Sequence, residues 1–178
     1  MTASRPDRSP RTSSQVRVLG VEDWATWRAI RLRALQDSPA AFGSTYAREL
    51  AFSEQLWTER LGDPHSVSVL VSEDGRPVGM GGGFPDLPGF LHVVAMWVEP
   101  SARGRGMGHH VLDGIRGWAD PRGLRLHLDV YSGNPAARRC YERYGFVGTG
   151  ETRPLRHGGS EVAERMVLAA ERKAPGLA

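Results

Sequence analysis

Val98-Glu99-Pro100-Ser101-Ala102-Arg103-Gly104-Arg105-Gly106-Met107-Gly108 joins two segments of opposite character. Before it, residues 90–98 (FLHVVAMWV) are almost continuously apolar, the pattern of a central strand covered on both faces. After it, Val111, Leu112, Ile115 and Trp118 recur at helical spacing through residues 107–119. Glycines in such a strand–helix turn let successive backbone N–H groups converge, and the helix N-terminus adds partial positive charge. Together they make an anion site suited to a pyrophosphate, with Arg103 and Arg105 adding charge. The plain alternative is a glycine-rich turn with no ligand. Two other nucleotide motifs fail here. A P-loop needs Lys after its last glycine, and no Lys follows these. A dinucleotide fingerprint needs GxGxxG, whereas Gly104-x-Gly106-x-Gly108 is followed by His109.

Working outward, residues 15–19 and 66–72 alternate as strands, and Glu73-Asp74-Gly75-Arg76 reads as a hairpin turn into a strand over 77–84. Residues 22–35 carry an apolar stripe with Trp24, Trp27, Ile30, Leu32 and Leu35, and 42–61 reads as a second helix. Gly81-Gly82-Gly83 inside a strand permits twisting or close backbone approach. Residues 124–131 alternate as a strand, and Pro135 opens a short helix stopped by Gly145. Strands at 146–151 and 163–168 close the pattern around a loop holding Gly158-Gly159. The expected fold is mixed α/β: about seven strands in a mostly antiparallel sheet flanked by about four helices.

The 178 residues fit one domain, expected over 15–171. Residues 1–14, rich in Arg, Ser, Pro and Thr, are expected to be a disordered tail, and 172–178 a frayed one. No apolar run approaches a bilayer span of about 20 residues, and the N-terminus has no apolar signal region. A cytoplasmic protein without a membrane partner is expected. The net charge is +3 and every basic residue except Lys173 is arginine, but these arginines are dispersed among acids. No nucleic-acid footprint emerges. The one cysteine, Cys140, forms no intrachain disulfide and reads as a small buried hydrophobe rather than a reactive thiol. Six histidines show no metal-binding spacing, so no metal is expected.

Arg103-x-x-Gly106-x-Gly108 after a strand ending Val98-x-Pro100 resembles the acetyl-CoA pyrophosphate loop of the GNAT N-acetyltransferases. Asn134-Pro135-Ala136-Ala137-Arg138-Arg139-Cys140-Tyr141-Glu142-Arg143-Tyr144-Gly145-Phe146 resembles their second signature, and the resemblance runs from about Val16 to Leu168. It implies acetyl-CoA as cosubstrate. The backbone of Met96, Trp97 and Val98 would meet the pantetheine arm and acetyl group, and Arg103, Gly104, Arg105, Gly106, Met107 and Gly108 would hold the pyrophosphate. Asn134 would contact pantetheine, and Arg138 would reach the phosphates. Asn134 also reads as a helix N-cap before Pro135, a role compatible with the first.

The same resemblance makes Tyr141 the acid toward the coenzyme A sulfur, the alternative being an aromatic that packs on the sheet. His92, eleven positions before Arg103 (103 − 92), matches the strand position at which histone- and serotonin-acetylating members place a Glu or His base. A histidine titrates near neutrality, as a base should; the alternative is a strand-edge residue capping the core. Glu49 is the next candidate, as a carboxylate holding the amine or as part of a solvated helix face. Phe42, Tyr46 and Phe84 are candidates to line the acceptor pocket. His109 and His110 read as rim residues. His127 alternates with Leu126 and Leu128 and reads as structural.

The expected activity is acetyl transfer to a primary amine of a small molecule, made directly in a ternary complex because Cys140 has no His/Asp arrangement in the sequence to support a covalent route. A protein or peptide amine, at an N-terminus or a lysine, is the second acceptor class, and a catalytically silent acyl-CoA-binding module the third reading. A homodimer is compatible with the family, though no segment marks an interface.

Overall fold

A strand–turn–strand hairpin and a buried central strand set the frame, and a computed structural model describes residues 13–154 and 162–170. The strands are β1 (Ser14–Val18), β2 (Val67–Glu73), β3 (Arg76–Leu87), β4 (Phe90–Val98), β5 (Arg125–Tyr131), β6 (Phe146–Pro154) and β7 (Val162–Leu168). The helices are α1 (Trp24–Asp37), α2 (Tyr46–Leu50), α3 (Glu54–Leu61), α4 (Met107–Ala119) and α5 (Pro135–Tyr144). One seven-stranded sheet has the order β1-β2-β3-β4-β5-β7-β6. Its pairs are antiparallel except β4 with β5. This is the mixed, mostly antiparallel sheet that the strand patterns imply.

Residues 42–61 depart from the single expected helix. Two capping side chains divide them. The Thr45 hydroxyl accepts from the Arg48 N–H at 3.3 Å, starting α2, and the Ser53 hydroxyl accepts from the Leu56 N–H at 3.2 Å, starting α3. Each cap satisfies a donor that a continuous helix would spend on its own carbonyls. The expected disordered tail lies outside the described residues except for Ser13 and Ser14. Ser14 opens β1, and the Ser13 N–H donates to Asp74 at 3.2 Å. The expected Gly158-Gly159 loop and the 172–178 tail also lie outside the described residues. Among those residues no helix is long and apolar enough to cross a membrane.

The sheet has a core on each face. On one, Val69, Val71, Leu91, Val93, Leu126, Leu128 and Val130 pack under Val111, Leu112 and Ile115 of α4. On the other, Leu70, Met80 and Trp97 pack under Trp27, Ile30 and Ala34 of α1 and Trp57 of α3. The glycine run inside β3 answers to close approach. A side chain on Gly82 would stand 2.7 Å from the Val67 carbonyl oxygen, and backbone cannot move aside as a flexible side chain can.

β4 carries one irregularity. Ala95 has φ +58, and the register steps from Gly82↔Val94 to Met80↔Trp97. This β-bulge shifts the side-chain alternation by one residue. Leu91 and Val93 face α4 before it, while Ala95 and Trp97 pack on the α1 side after it.

Candidate active site

β4 and β5 are paired only at Phe90↔Arg125, Leu91↔Leu126 and His92↔His127. Beyond that point they separate, and the bulge at Ala95 bends β4 away. The β5-facing edge of residues 93–98 is left without a strand partner among the described residues. An extended polyamide can hydrogen-bond along such an edge. Met96, Trp97 and Val98, the sequence candidates for this contact, lie on it.

The glycine-rich turn sits at the far end of the same strand. Gly104 and Gly106 have φ +77 and +85, and nothing stands within 4 Å of a side chain placed on either. Backbone donation resumes only at the His109 N–H, which reaches the Gly106 carbonyl at 2.9 Å. The N–H groups of residues 104–108 are therefore not used by the chain's own hydrogen bonds among the described residues. They open onto the N-terminus of α4, the geometry that an anion cradle would need.

The two arginines of the turn are already engaged. The Arg103 Nε donates to the Val98 carbonyl at 2.9 Å, and its head ion-pairs with Asp37, the last residue of α1. The Trp97 indole donates to the same Asp37 oxygen at 2.9 Å, which with Arg103 holds that carboxyl below the usual range. Arg105 pairs with Glu73 at 2.5 Å. Arg138, a sequence candidate for the cofactor's phosphates, instead has its head on Glu164 at 2.5 Å and Glu142 at 2.9 Å, fastening α5 to β7. Asn134 is a helix cap, as one of its two readings holds: its side chain accepts from the Ala137 N–H at 3.0 Å.

Tyr141 lies on α5 and packs at the edge of the α4-side core, its ring 5.9 Å from Phe146 in an edge contact. Burial pushes its phenol well above the usual tyrosine range. The expected rim residue His109 joins α4 to α5, with Nε2 3.2 Å from the Cys140 carbonyl and its ring against Tyr144.

The face of β4 and β5 opposite α4 carries a polar cluster. His92 is partly buried, with Nδ1 3.4 Å from Asp86 and Nε2 3.7 Å from Asp129. Its ring stacks on His127 at 4.7 Å between centroids and 15° between planes. His127 is 1% exposed, and its Nε2 lies 2.6 Å from the other oxygen of Asp86. Arg165 of β7 clamps Asp129 with two bonds of 3.0 and 3.2 Å. Burial of Asp129 favours its neutral form, but the Arg165 bonds and charge outweigh this and hold its carboxyl low. Burial of His92 and the neighbouring His127 lower the His92 pKa against the opposing pull of Asp129 and Asp86. A half-buried neutral imidazole flanked by carboxylates can accept a proton.

Phe84, 42% exposed, stands with its ring 5.5 Å from that of His92 and forms a wall beside it. Phe42 lies against the α1-side core, with the Arg31 guanidinium 4.5 Å over its ring. Glu49 is 1% exposed rather than on a solvated face, and both its oxygens accept from Arg31, at 2.7 and 2.9 Å. An amine would have to displace Arg31 to reach it. Sequence reading missed Asp86, Asp129 and Arg165 and set His127 aside as structural. The available signal was phase: Leu91-His92-Val93 and Leu126-His127-Leu128 each put a histidine between residues of one core, and parallel pairing places the two side by side.

A family model described as the Acetyltransferase (GNAT) family matches residues 27–146. Acetyltransferase Atu2258 of Agrobacterium fabrum (strain C58 / ATCC 33970) is 31% identical over 99 residues, 55% of this chain and 71% of that protein. Among solved structures, an acetyltransferase of the GNAT family from Streptococcus pneumoniae superposes with a TM-score of 0.73 at 19% identity, covering 88% of this chain and 100% of that one. A structure described as a streptothricin acetyltransferase from Bacillus anthracis str. Ames, in complex with acetyl coenzyme A, gives 0.58 at 20% identity over 64% of this chain and 67% of its own. These two likenesses speak for the fold, while the family model and the curated relative speak for descent. With the parted strands and the anion cradle, they establish that the chain belongs to the GNAT family of acetyltransferases.

Proposed function

We propose that the protein transfers an acetyl group from acetyl-CoA to the primary amine of a small molecule, directly and within a ternary complex. The observation that carries this reading is the parting of β4 from β5 immediately beyond His92, which sets a proton acceptor beside an open strand edge. The chain's residues fit acetyl-CoA. The edge of residues 96–98 has no strand partner where the pantetheine amides would lie, although its Val98 carbonyl accepts from Arg103. The 104–108 cradle offers free N–H groups to the pyrophosphate, and Asn134 opens α5 beyond β5. Bound acetyl-CoA supplies a thioester carbonyl activated for attack by an amine.

Direct transfer then needs two proton movements. His92 takes the proton from the acceptor's ammonium, with Asp86 at Nδ1 and Asp129 at Nε2 orienting the ring and stabilising the imidazolium. Tyr141 holds a proton at Oη for the departing sulfur, since a phenol is protonated throughout the neutral range and burial raises its pKa further. Phe84 and Asp86, an apolar wall and a carboxylate on one hairpin, suit a compact cationic amine at the His92 mouth.

Calorimetric titration with acetyl-CoA, NAD and ATP tests the cosubstrate, and a panel of free amines against peptides tests the acceptor. Selective acetyl-CoA binding that disappears in Gly106→Glu, with turnover on free amines, is expected. No acetyl-CoA binding would overturn the reading at its base. Turnover on peptides alone would replace the small-molecule acceptor with a protein one.

A further inference from the structure

β3, β4 and β5 each deliver one metal-ligating side chain to the same point: Asp86, His92 and His127 have donor atoms all within 4.8 Å of one another. No local sequence spacing announces this group, because its members come from three strands. Two donors on a tetrahedral zinc ion, each about 2.0–2.2 Å from it, lie about 3.4 Å apart. His92 Nδ1 and Asp86 Oδ2 are already 3.4 Å apart. His127 Nε2 and Asp86 Oδ1, at 2.6 Å, are drawn together by a hydrogen bond whose proton an ion would displace to solvent. The rings stack nearly parallel, so one must turn about its Cβ–Cγ bond to aim both lone pairs at one ion. His92 is partly exposed and His127 is buried, so the turn would fall to His92.

The surroundings favour the same chemistry. A ligating imidazole characteristically directs its second nitrogen at a carboxylate. Before the ring turns, the Nε2 of His92 lies 3.7 Å from Asp129, itself held by two bonds from Arg165, whereas the buried Nδ1 of His127 has no hydrogen-bond partner. Two imidazoles and one carboxylate suit zinc and its neighbours in the transition series rather than magnesium or calcium, which prefer oxygen.

We propose that Asp86, His92 and His127 form a site for a divalent transition metal of the zinc class, and that the bound ion withdraws His92 from proton transfer. The second clause rests on the base role given to His92 above; the first stands without it.

The full chain, stripped with a chelator, is titrated with Co2+ and then Zn2+ in the absence of acetyl-CoA and acceptor. A single visible Co2+ band is expected, bleached by stoichiometric Zn2+. Losing a ligand should weaken binding by at least as much as losing an outer-shell partner does, about 10–100-fold. That loss is expected in both His127→Gln and Asp86→Asn; the latter changes the exposed hairpin and serves if the former does not fold. Absence of a band at micromolar Co2+, or an undiminished band in Asp86→Asn, overturns the site. Turnover is expected to fall as Zn2+ fills the site and to return with chelator. If turnover persists while the band shows the site filled, the metal site stands and His92 is not the base.

Discussion

His92 can act as a base only while neutral, and its surroundings pull both ways. Burial and His127 outweigh Asp129 and Asp86, so the neutral form persists below the ordinary histidine pKa of about 6.5. The acidic limb of the wild-type pH–rate profile is therefore expected below that value, with a plateau above it. His92→Ala should lower kcat/KM near neutrality by about 10²–10⁴-fold, the range of a lost general base, with acetyl-CoA affinity retained. The deficit should narrow as pH rises, because the amine then loses its proton to solvent unaided; a profile unchanged from wild type removes His92 from the reaction. Tyr141→Phe keeps the ring against Phe146 and removes only the proton. A fall in kcat of about 10²-fold or more with an unaltered melting temperature is expected. Wild-type turnover in that variant would leave Tyr141 a packing residue. At this scale the sequence was half legible. The turn itself was legible, since the positive φ of Gly104 and Gly106 and the place of Tyr141 on α5 follow from local motifs. Asp86 and Asp129 were not, because their partners lie on other strands and nothing local in the sequence marks those pairings.

Among the elements, α2 shows how a short helix is held by one buried contact. Its Glu49 sits between α1 and α2 with both oxygens on Arg31, which is 7% exposed. Removing one partner of such a pair strands the other charge in the core. Glu49→Ala should therefore cost about 3–5 kcal/mol in urea unfolding. A loss of acceptor affinity without loss of stability would return Glu49 to the acceptor pocket. The same region shows where patterning misleads. An apolar stripe runs through residues 42–61, but the Thr45 and Ser53 caps cut it into two helices, and such caps weigh little beside a periodicity. Helix α4 and helix α5, each closed by a glycine or a turn at its end, were legible in full. The bulge at Ala95 was not, because in a run where nearly every residue is apolar a one-residue shift leaves no trace.

At the scale of the molecule, three residue pairs are the only β-ladder between strands β1–β4 and strands β5–β7 among the described residues, with α4 and α5 packed across the junction. A ligand lying in that junction touches both parts and binds the folded state alone. Acetyl-CoA at about 100 times its Kd should stabilise the fold by about 2.7 kcal/mol, read as a rise in melting temperature. Gly106→Glu should abolish the rise, and a rise that survives in the variant would place the ligand elsewhere. The paired arginines of the glycine turn carry a further consequence. With Arg103 balanced by Asp37 and Arg105 by Glu73, the turn has little surplus charge to be shielded by dissolved ions. Backbone dipoles at contact range are scarcely reached by a screening length of about 8–10 Å. Acetyl-CoA affinity should therefore change little as ionic strength is raised with sodium chloride. A steep salt dependence would show instead that the guanidinium groups abandon their carboxylates for the incoming ligand.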